Sequence, residues 1–311
     1  MDIHIQCTDL PAALDFYQGQ LDFRLDLIFP ADNPRAAELS GYGITIRLKS
    51  EKAVMQTSRI HTEEPIIQVA DDSSWGEGRA GMQYRDLIPG RLDGEFIASH
   101  IRIPTGGPVA DYVHHHQVRF QMIYCYKGWV RVVYEDQGES FVMRAGDCVL
   151  QPPHIRHRVL ESSDGLEVIE IGTPAEHETR VDHDLDLPNP VLNPNRDFDG
   201  QRFVFHQAER AEWEPAVSVG FELRDSGIAQ ATHGLANAVV LRPSGASVIT
   251  GLVHQDRFFF SFILHGSLEL STASDQRRTL KNGDCFLIPA NTPFTLSAMS
   301  PDLELLRVTL M

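Results

Sequence analysis

Cysteine is scarce and scattered in this chain. The 311 residues hold four (Cys7, Cys125, Cys148 and Cys285) with no CxxC pair, so no disulfide framework is expected to hold the fold. Apolar runs are short. None reaches the length that spans a bilayer, and Met1-Asp2-Ile3-His4 lacks the basic-then-apolar pattern of a signal peptide. A cytoplasmic protein with no membrane partner is expected. Positive charge is outnumbered, 27 Lys and Arg against 43 Asp and Glu, for a formal charge of −16. That argues against nucleic acid or an anionic membrane as partner. It leaves a small-molecule substrate, an anionic one included, because local arginines decide that. Helical periodicity is missing beyond the first 50 residues.

What is present is an ordinary globular composition, 42% hydrophobic and 23% charged, in a chain long enough for two domains and a smaller third. Residues 1–50 read as strand, helix and further strands: Ile3–Cys7 alternates, Thr8 or Asp9 can cap a helix over Pro11–Gln20, and Phe23–Phe29 and Gly43–Leu48 alternate again. Residues 51–79 are polar and read as a linker, with a short strand expected at Ile66–Val69. Residues 80–180 carry short alternating segments separated by Gly, Pro and Asp turns, as in an antiparallel sandwich or barrel. A linker over 181–201, rich in Asp, Pro and Asn, precedes a second β domain at 202–311.

The two β domains are copies. Ile103-Pro104-Thr105-Gly106 is echoed by Arg242-Pro243-Ser244-Gly245, Tyr126-Lys127-Gly128 by Leu264-His265-Gly266, and Arg144-Ala145-Gly146-Asp147-Cys148 by Lys281-Asn282-Gly283-Asp284-Cys285. An offset this regular marks an internal repeat, and the recurrence of Cys148 as Cys285 suits a packing role for both.

Five of the fourteen histidines lie between Gly107 and His157. On a strand, His114 and His116 share one face and His115 takes the other. Two imidazoles on one face, an amide oxygen at Gln121 and a further donor after the Gly146-Asp147 turn suit a divalent transition metal.

These residues resemble the cupin family, whose first motif is matched by Gly107, His114-x-His116, Gln121 and Gly128, and whose second by Gly146, Pro152 and His157. Gly107 stands one residue further upstream than usual, His154 where a glycine is usual, and Glu161 where an asparagine is usual. The resemblance implies a mainly β fold of two tandem double-stranded β-helix (jelly-roll) barrels, with His114, His116, Gln121 and His157 as metal ligands. Iron is the first expectation for the ion, with nickel, manganese, cobalt or zinc as alternatives. With glutamine in place of the family's glutamate, the ion's +2 charge is left uncompensated by the ligands, which favours an anionic chelating substrate. The reaction expected is that of a mononuclear non-haem iron dioxygenase. A metal-dependent isomerase or lyase of a small carboxylated metabolite, or a non-catalytic binding or sensor protein, are the alternatives.

Strand and turn phase nominate further residues. His154 as general base and Arg156 as carboxylate clamp lie in the turn that carries His157; the alternative for each is an exposed turn residue. His100 and Arg102 share one face of Phe96–Ile103 and line the pocket if that face is the barrel interior. Arg119 is a weaker substrate-binding candidate.

In the second copy the ligand positions become Leu252, His254, Phe259 and Phe294. One imidazole does not make a metal site, and Phe258, Phe259, Phe260 and Phe262 point to a barrel filled with aromatic side chains. The first 50 residues resemble one βαβββ module of the vicinal-oxygen-chelate (glyoxalase/bleomycin-resistance) family, through Asp9-Leu10, Ala12-Ala13, Phe16-Tyr17 and Leu21-Asp22-Phe23. Asp2 and Arg47 replace that family's ligands. The expectation is an α+β module for packing or dimerisation, with a pocket at His4, Gln6 and Arg47 as the alternative, and a homodimer overall.

Overall fold

A computed structural model describes residues 2–50, 64–78, 81–216, 220–272 and 277–311. The chain opens with the expected strand, helix and three strands. Asp9 caps the helix Leu10–Gly19 by accepting the Ala12 N–H at 3.0 Å, with Pro11 in the first turn where its missing N–H costs nothing. The strand Asp2–Cys7 runs parallel to Ile44–Ser50, and Ala36–Gly41 and Arg24–Phe29 complete the sheet. The helix covers one face through Leu10, Ala13, Leu14 and Tyr17 against Phe23, Leu39, Ile46 and Leu48. On the opposite face His4, Gln6 and Arg47 are exposed, with Arg47 held by Glu38 at 2.9 Å.

Two β barrels follow and pack back to back. The first combines two sheets. One contains Thr179–Val181, His114–His116, His157–Ser162, Trp129–Tyr134 and Phe141–Arg144; the other contains Cys148–Leu150, Phe120–Lys127, Leu166–Thr173, Ile97–Ile103 and Gln83–Asp86. Strand alternation sorts their side chains. Gln121, Ile123, Val168 and Glu170 line the interior cavity, whereas Phe120, Met122, Tyr124 and Ile169 face outward into a core shared with the second barrel.

The second barrel meets that core with Phe258, Phe260, Phe262, Leu306 and Val308. This corrects the expectation of an aromatic-filled barrel. Consecutive phenylalanines alternate faces, so three of the four seal the inter-barrel core and Phe259 alone points inward with Ile263 and Leu305. Both faces of this strand are buried, which is why it is apolar throughout.

The barrels also exchange strands. Ile66–Gln68, which precedes the first barrel, pairs with Cys285–Leu287 of the second. Val204–His206, at the start of the second domain, pairs with Cys148–Leu150 of the first. The repeated Gly-Asp turn anchors both. Asp147 accepts the Arg144 and Ala208 N–H groups at 2.8 Å each, and Asp284 accepts those of Lys281 and Ala70 at 2.8 Å each. The turn recurs because it holds an exchanged segment, with or without a metal motif beside it.

The N-terminal sheet is continuous with the first barrel. Arg24–Phe29 pairs with Thr179–Val181, which pairs with the histidine strand His114–His116. Ion pairs Arg91–Asp32 and Arg35–Glu176 (the latter 2.5 Å) fasten the loop between the second and third strands against the barrel. No helix among the described residues is long and apolar enough to cross a membrane.

Candidate metal centre

His114 sits directly opposite His157 in the antiparallel register, and His116 follows on the same face two residues along. One nitrogen from each of the three lies within 4.8 Å of the others. All three rings are buried. Each Nδ1 is anchored from outside: that of His114 donates to the Tyr112 carbonyl at 2.8 Å and that of His157 to the Ile155 carbonyl at 3.1 Å. The Nδ1 of His116 meets Thr179 Oγ1 at 2.9 Å. A carbonyl can only accept, so His114 and His157 carry their proton on Nδ1 and present a lone pair at Nε2, as a metal ligand does.

Gln121, 2% exposed, projects into the same cavity. Its Nε2 donates to Glu170 Oε1 at 2.6 Å, which leaves Oε1 buried with no hydrogen-bond partner. A buried amide oxygen with no partner among the described residues, in the cavity that His116 and His157 also line, fits a divalent cation. Glu170 also revises the charge argument. The candidate ligands are neutral, but a carboxylate stands one hydrogen bond behind Gln121, so part of a bound ion's charge would be met by the protein. Gln151 competes with the ion. Its Nε2 donates to His157 Nε2 at 2.8 Å, and an imidazole nitrogen has one lone pair, so this bond must break when a metal is held there.

The cavity measures about 120 Å³, room for a small molecule. Beyond the polar cluster its wall is apolar, with Ile101, Ile123, Val132, Met143 and Val168 among the lining residues, and no lysine or arginine among them. Pro30, Ala31 and Asp32 contribute to the wall from the N-terminal module, and His177 joins the polar end, 5.2 Å from the His116 ring.

The remaining nominated residues lie elsewhere. His100 and Arg102 share a face, as expected, but it is the outer one; Ile97, Ile101 and Ile103 occupy the inner. His100 bonds Glu167 at 2.7 Å and Arg85 at 2.8 Å, and its burial lowers its pKa and keeps it neutral. Arg102 bonds Gln83 at 2.6 Å and lies over Trp75. Arg119 is exposed. His154 is 47% exposed in its side chain and packs against His115, the histidine that faces away from the cluster, with Asp199 at 3.6 Å. Arg156 bonds Asp182 at 3.1 Å on the same outer side. Burial, reinforced by Arg156, pushes His115 down to about 4. None of these five lines the cavity. Sequence reasoning passed over Glu170, whose signal was an acid interrupting the apolar run Val168-Ile169-Glu170-Ile171, and Gln151, which has no such signal.

Residues 99–172 match the family model for the cupin domain. No curated protein sequence matches the chain. Among solved structures, a putative glyoxylate-induced protein from Pseudomonas aeruginosa is 12% identical, with a TM-score of 0.59 over 80% of this chain and 90% of its own. Salicylate 1,2-dioxygenase from Pseudaminobacter salicylatoxidans is 17% identical, with a TM-score of 0.55 over 73% and 76%. A deletion mutant of Bacillus subtilis oxalate decarboxylase is 13% identical, with a TM-score of 0.54 over 79% and 76%. At these identities the likeness is one of fold. Residues 99–172 form a cupin domain, as the family model describes, and a second barrel repeats its strand arrangement with no such histidine cluster among the described residues.

Proposed function

We propose that the first barrel is the active site of a metal-dependent enzyme, with one divalent ion held by His114, His116, His157 and Gln121. The observation that carries this is Gln121 Oε1, buried with no partner among the described residues in the cavity that His116 and His157 line, where the histidines' other nitrogens are anchored. The ion supplies a Lewis acid and, as iron, the point at which dioxygen and substrate are brought together. The protein's own residues do the rest. Glu170 orients the Gln121 amide, Thr179 and two carbonyls orient the rings, and the apolar wall excludes water from the bound substrate.

The substrate class follows from that wall. With no cation among the lining residues, an anionic group would find its counter-charge on the ion, and the rest of the molecule would lie against isoleucine, valine and methionine. A small metabolite with an anionic chelating head and an apolar body fits. Dioxygenation by iron is the leading reaction. Isomerisation or lysis is favoured by one observation, the Glu170 carboxylate in the cavity wall, a group able to hold a proton near the bound substrate.

Metal analysis of the purified protein, followed by oxygen uptake against a panel of small acids, diols and thiols, separates these. Iron with substrate-dependent oxygen consumption supports the dioxygenase. Turnover without oxygen uptake supports the isomerase or lyase, and binding without turnover makes the barrel a sensor. Full metal occupancy in His116→Ala or His157→Ala overturns the site itself.

A further inference from the structure

The second barrel has lost its metal ligands, yet its interior is not simply apolar. In the first barrel Ile123 pairs with Glu170 across neighbouring strands, and in the second Ser261 pairs with Arg307. Ser261 follows Ile123 by 138 residues and Arg307 follows Glu170 by 137. The same offsets relate His254 to His116 and Phe294 to His157. At one position of the wall, an acid in the first copy is an arginine in the second.

Arg307 is 9% exposed and points inward, its guanidinium 4.6 Å from the centre of the Phe259 ring. Nε donates a long bond of 3.4 Å to Ser261 Oγ, and Nη2 is buried with no hydrogen-bond partner among the described residues. No carboxylate forms an ion pair with it among the described residues. Asp256, whose charge acts on the guanidinium, stands 3.7 Å from His254 and is itself part-exposed. Burial outweighs the pull of Asp256 and brings the guanidinium down to about 10. A buried, unpaired charge is among the least favourable groups a fold can carry.

We propose that the second barrel is a binding site for a small monocarboxylate, held by Arg307 where the first barrel carries Glu170. The guanidinium presents two parallel N–H groups that match a carboxylate. Leu252, Phe259, Ile288 and Phe294 belong to the apolar cluster that fills this barrel, and an apolar substituent would pack against it. Val253, next to His254 in the chain, is 61% exposed. A single cation suits one negative charge and not a polyanion. The two barrels would then be complementary, one built for a cation and the other for an anion.

The test is calorimetric titration and thermal unfolding of the full-length protein with acetate, butyrate and benzoate, against chloride at matched ionic strength. Wild type and His116→Ala should both bind benzoate and unfold at a higher temperature with it, because the site is independent of the metal centre. Arg307→Met should lose this response. Without ligand it should unfold above wild type, since an apolar side chain replaces an unpaired buried charge. Should Arg307→Met fail to fold, Arg307→Lys keeps the charge without the fork and should bind benzoate at least about thirtyfold more weakly. Absence of any carboxylate response, an undiminished response in the Arg307 variants, or its loss in His116→Ala overturns the proposal.

Discussion

Glu170→Gln is the most informative single substitution in the first barrel. Glu170 Oε1 accepts the Gln121 Nε2–H at 2.6 Å, a charge-assisted bond that fixes which end of the Gln121 amide faces the three histidines. Glutamine keeps the shape and an acceptor oxygen but removes the charge, and it allows the Gln121 amide to turn round. A hydrogen bond to a charged group contributes about 1.5–3 kcal/mol and a neutral one about 0.5–1.5. The difference of about 1–1.5 kcal/mol is roughly tenfold in metal dissociation constant. Loss of the carboxylate behind a divalent ion adds to this, and partners of metal ligands are typically worth about 10–100-fold. Competition titration of cobalt(II) or zinc(II) against a chromogenic chelator should therefore show a ten- to hundredfold weakening. Gln121→Glu moves the balance the other way. Two carboxylates at 2.6 Å would repel by roughly 6 kcal/mol at an effective dielectric constant of about 20, so the metal-free variant should be destabilised and a bound ion should restore it. Metal affinity unchanged within about threefold in Glu170→Gln would refute the view that this carboxylate orients a ligand.

Gln151→Ala should tighten metal binding about fivefold in the same titration, because it removes a hydrogen bond of about 1 kcal/mol that occupies the His157 Nε2 lone pair; weaker binding would make Gln151 a supporting group instead. Arg91→Ala should cost about 3 kcal/mol in urea unfolding, since its removal leaves the largely buried Asp32 carboxylate without its cation and also frees the exposed Asp86. Burial would raise Glu167, but hydrogen bonds from His100 and Lys127 outweigh it and hold it down at about 2. A carboxylate depressed in the folded state stabilises above its unfolded value, near 4.5, and the contribution disappears as pH falls towards 2. Glu167→Gln should therefore be about 2 kcal/mol less stable than wild type at pH 6, after allowing for partial solvent screening, with the two unfolding curves converging near pH 2.

The cavity gives the N-terminal module a role that its sequence does not announce. Pro30, Ala31 and Asp32 stand in the wall of the cavity that His116 and His157 line, and the sheet of their module runs through Thr179–Val181 to the histidine strand. Thr179 lies on both paths, pairing with Ile28 of the module and meeting the Nδ1 of His116. A displacement of the module would be felt at His116 through one strand.

The sequence by itself determined the repeat, the strand-rich class of both copies, the strand–helix–strand opening and the histidines that cluster. These are consequences of local spacing: alternation at period two, turns at Gly-Asp, and HxH placing two imidazoles on one face. It left open which face of a strand is the inside. In this molecule both faces of the central strands are buried, one in a barrel and one between barrels, so alternation assigns His100 and Arg102 to a common side without saying which. The same ambiguity placed Phe258, Phe260 and Phe262 inside the second barrel when they seal its back. Only the tertiary structure decided that Glu170 stands behind Gln121, that Gln151 reaches His157, and that Arg307 is buried without a counter-charge. Those facts depend on contacts between residues dozens of positions apart, and strand pairing sets them where no local pattern records them.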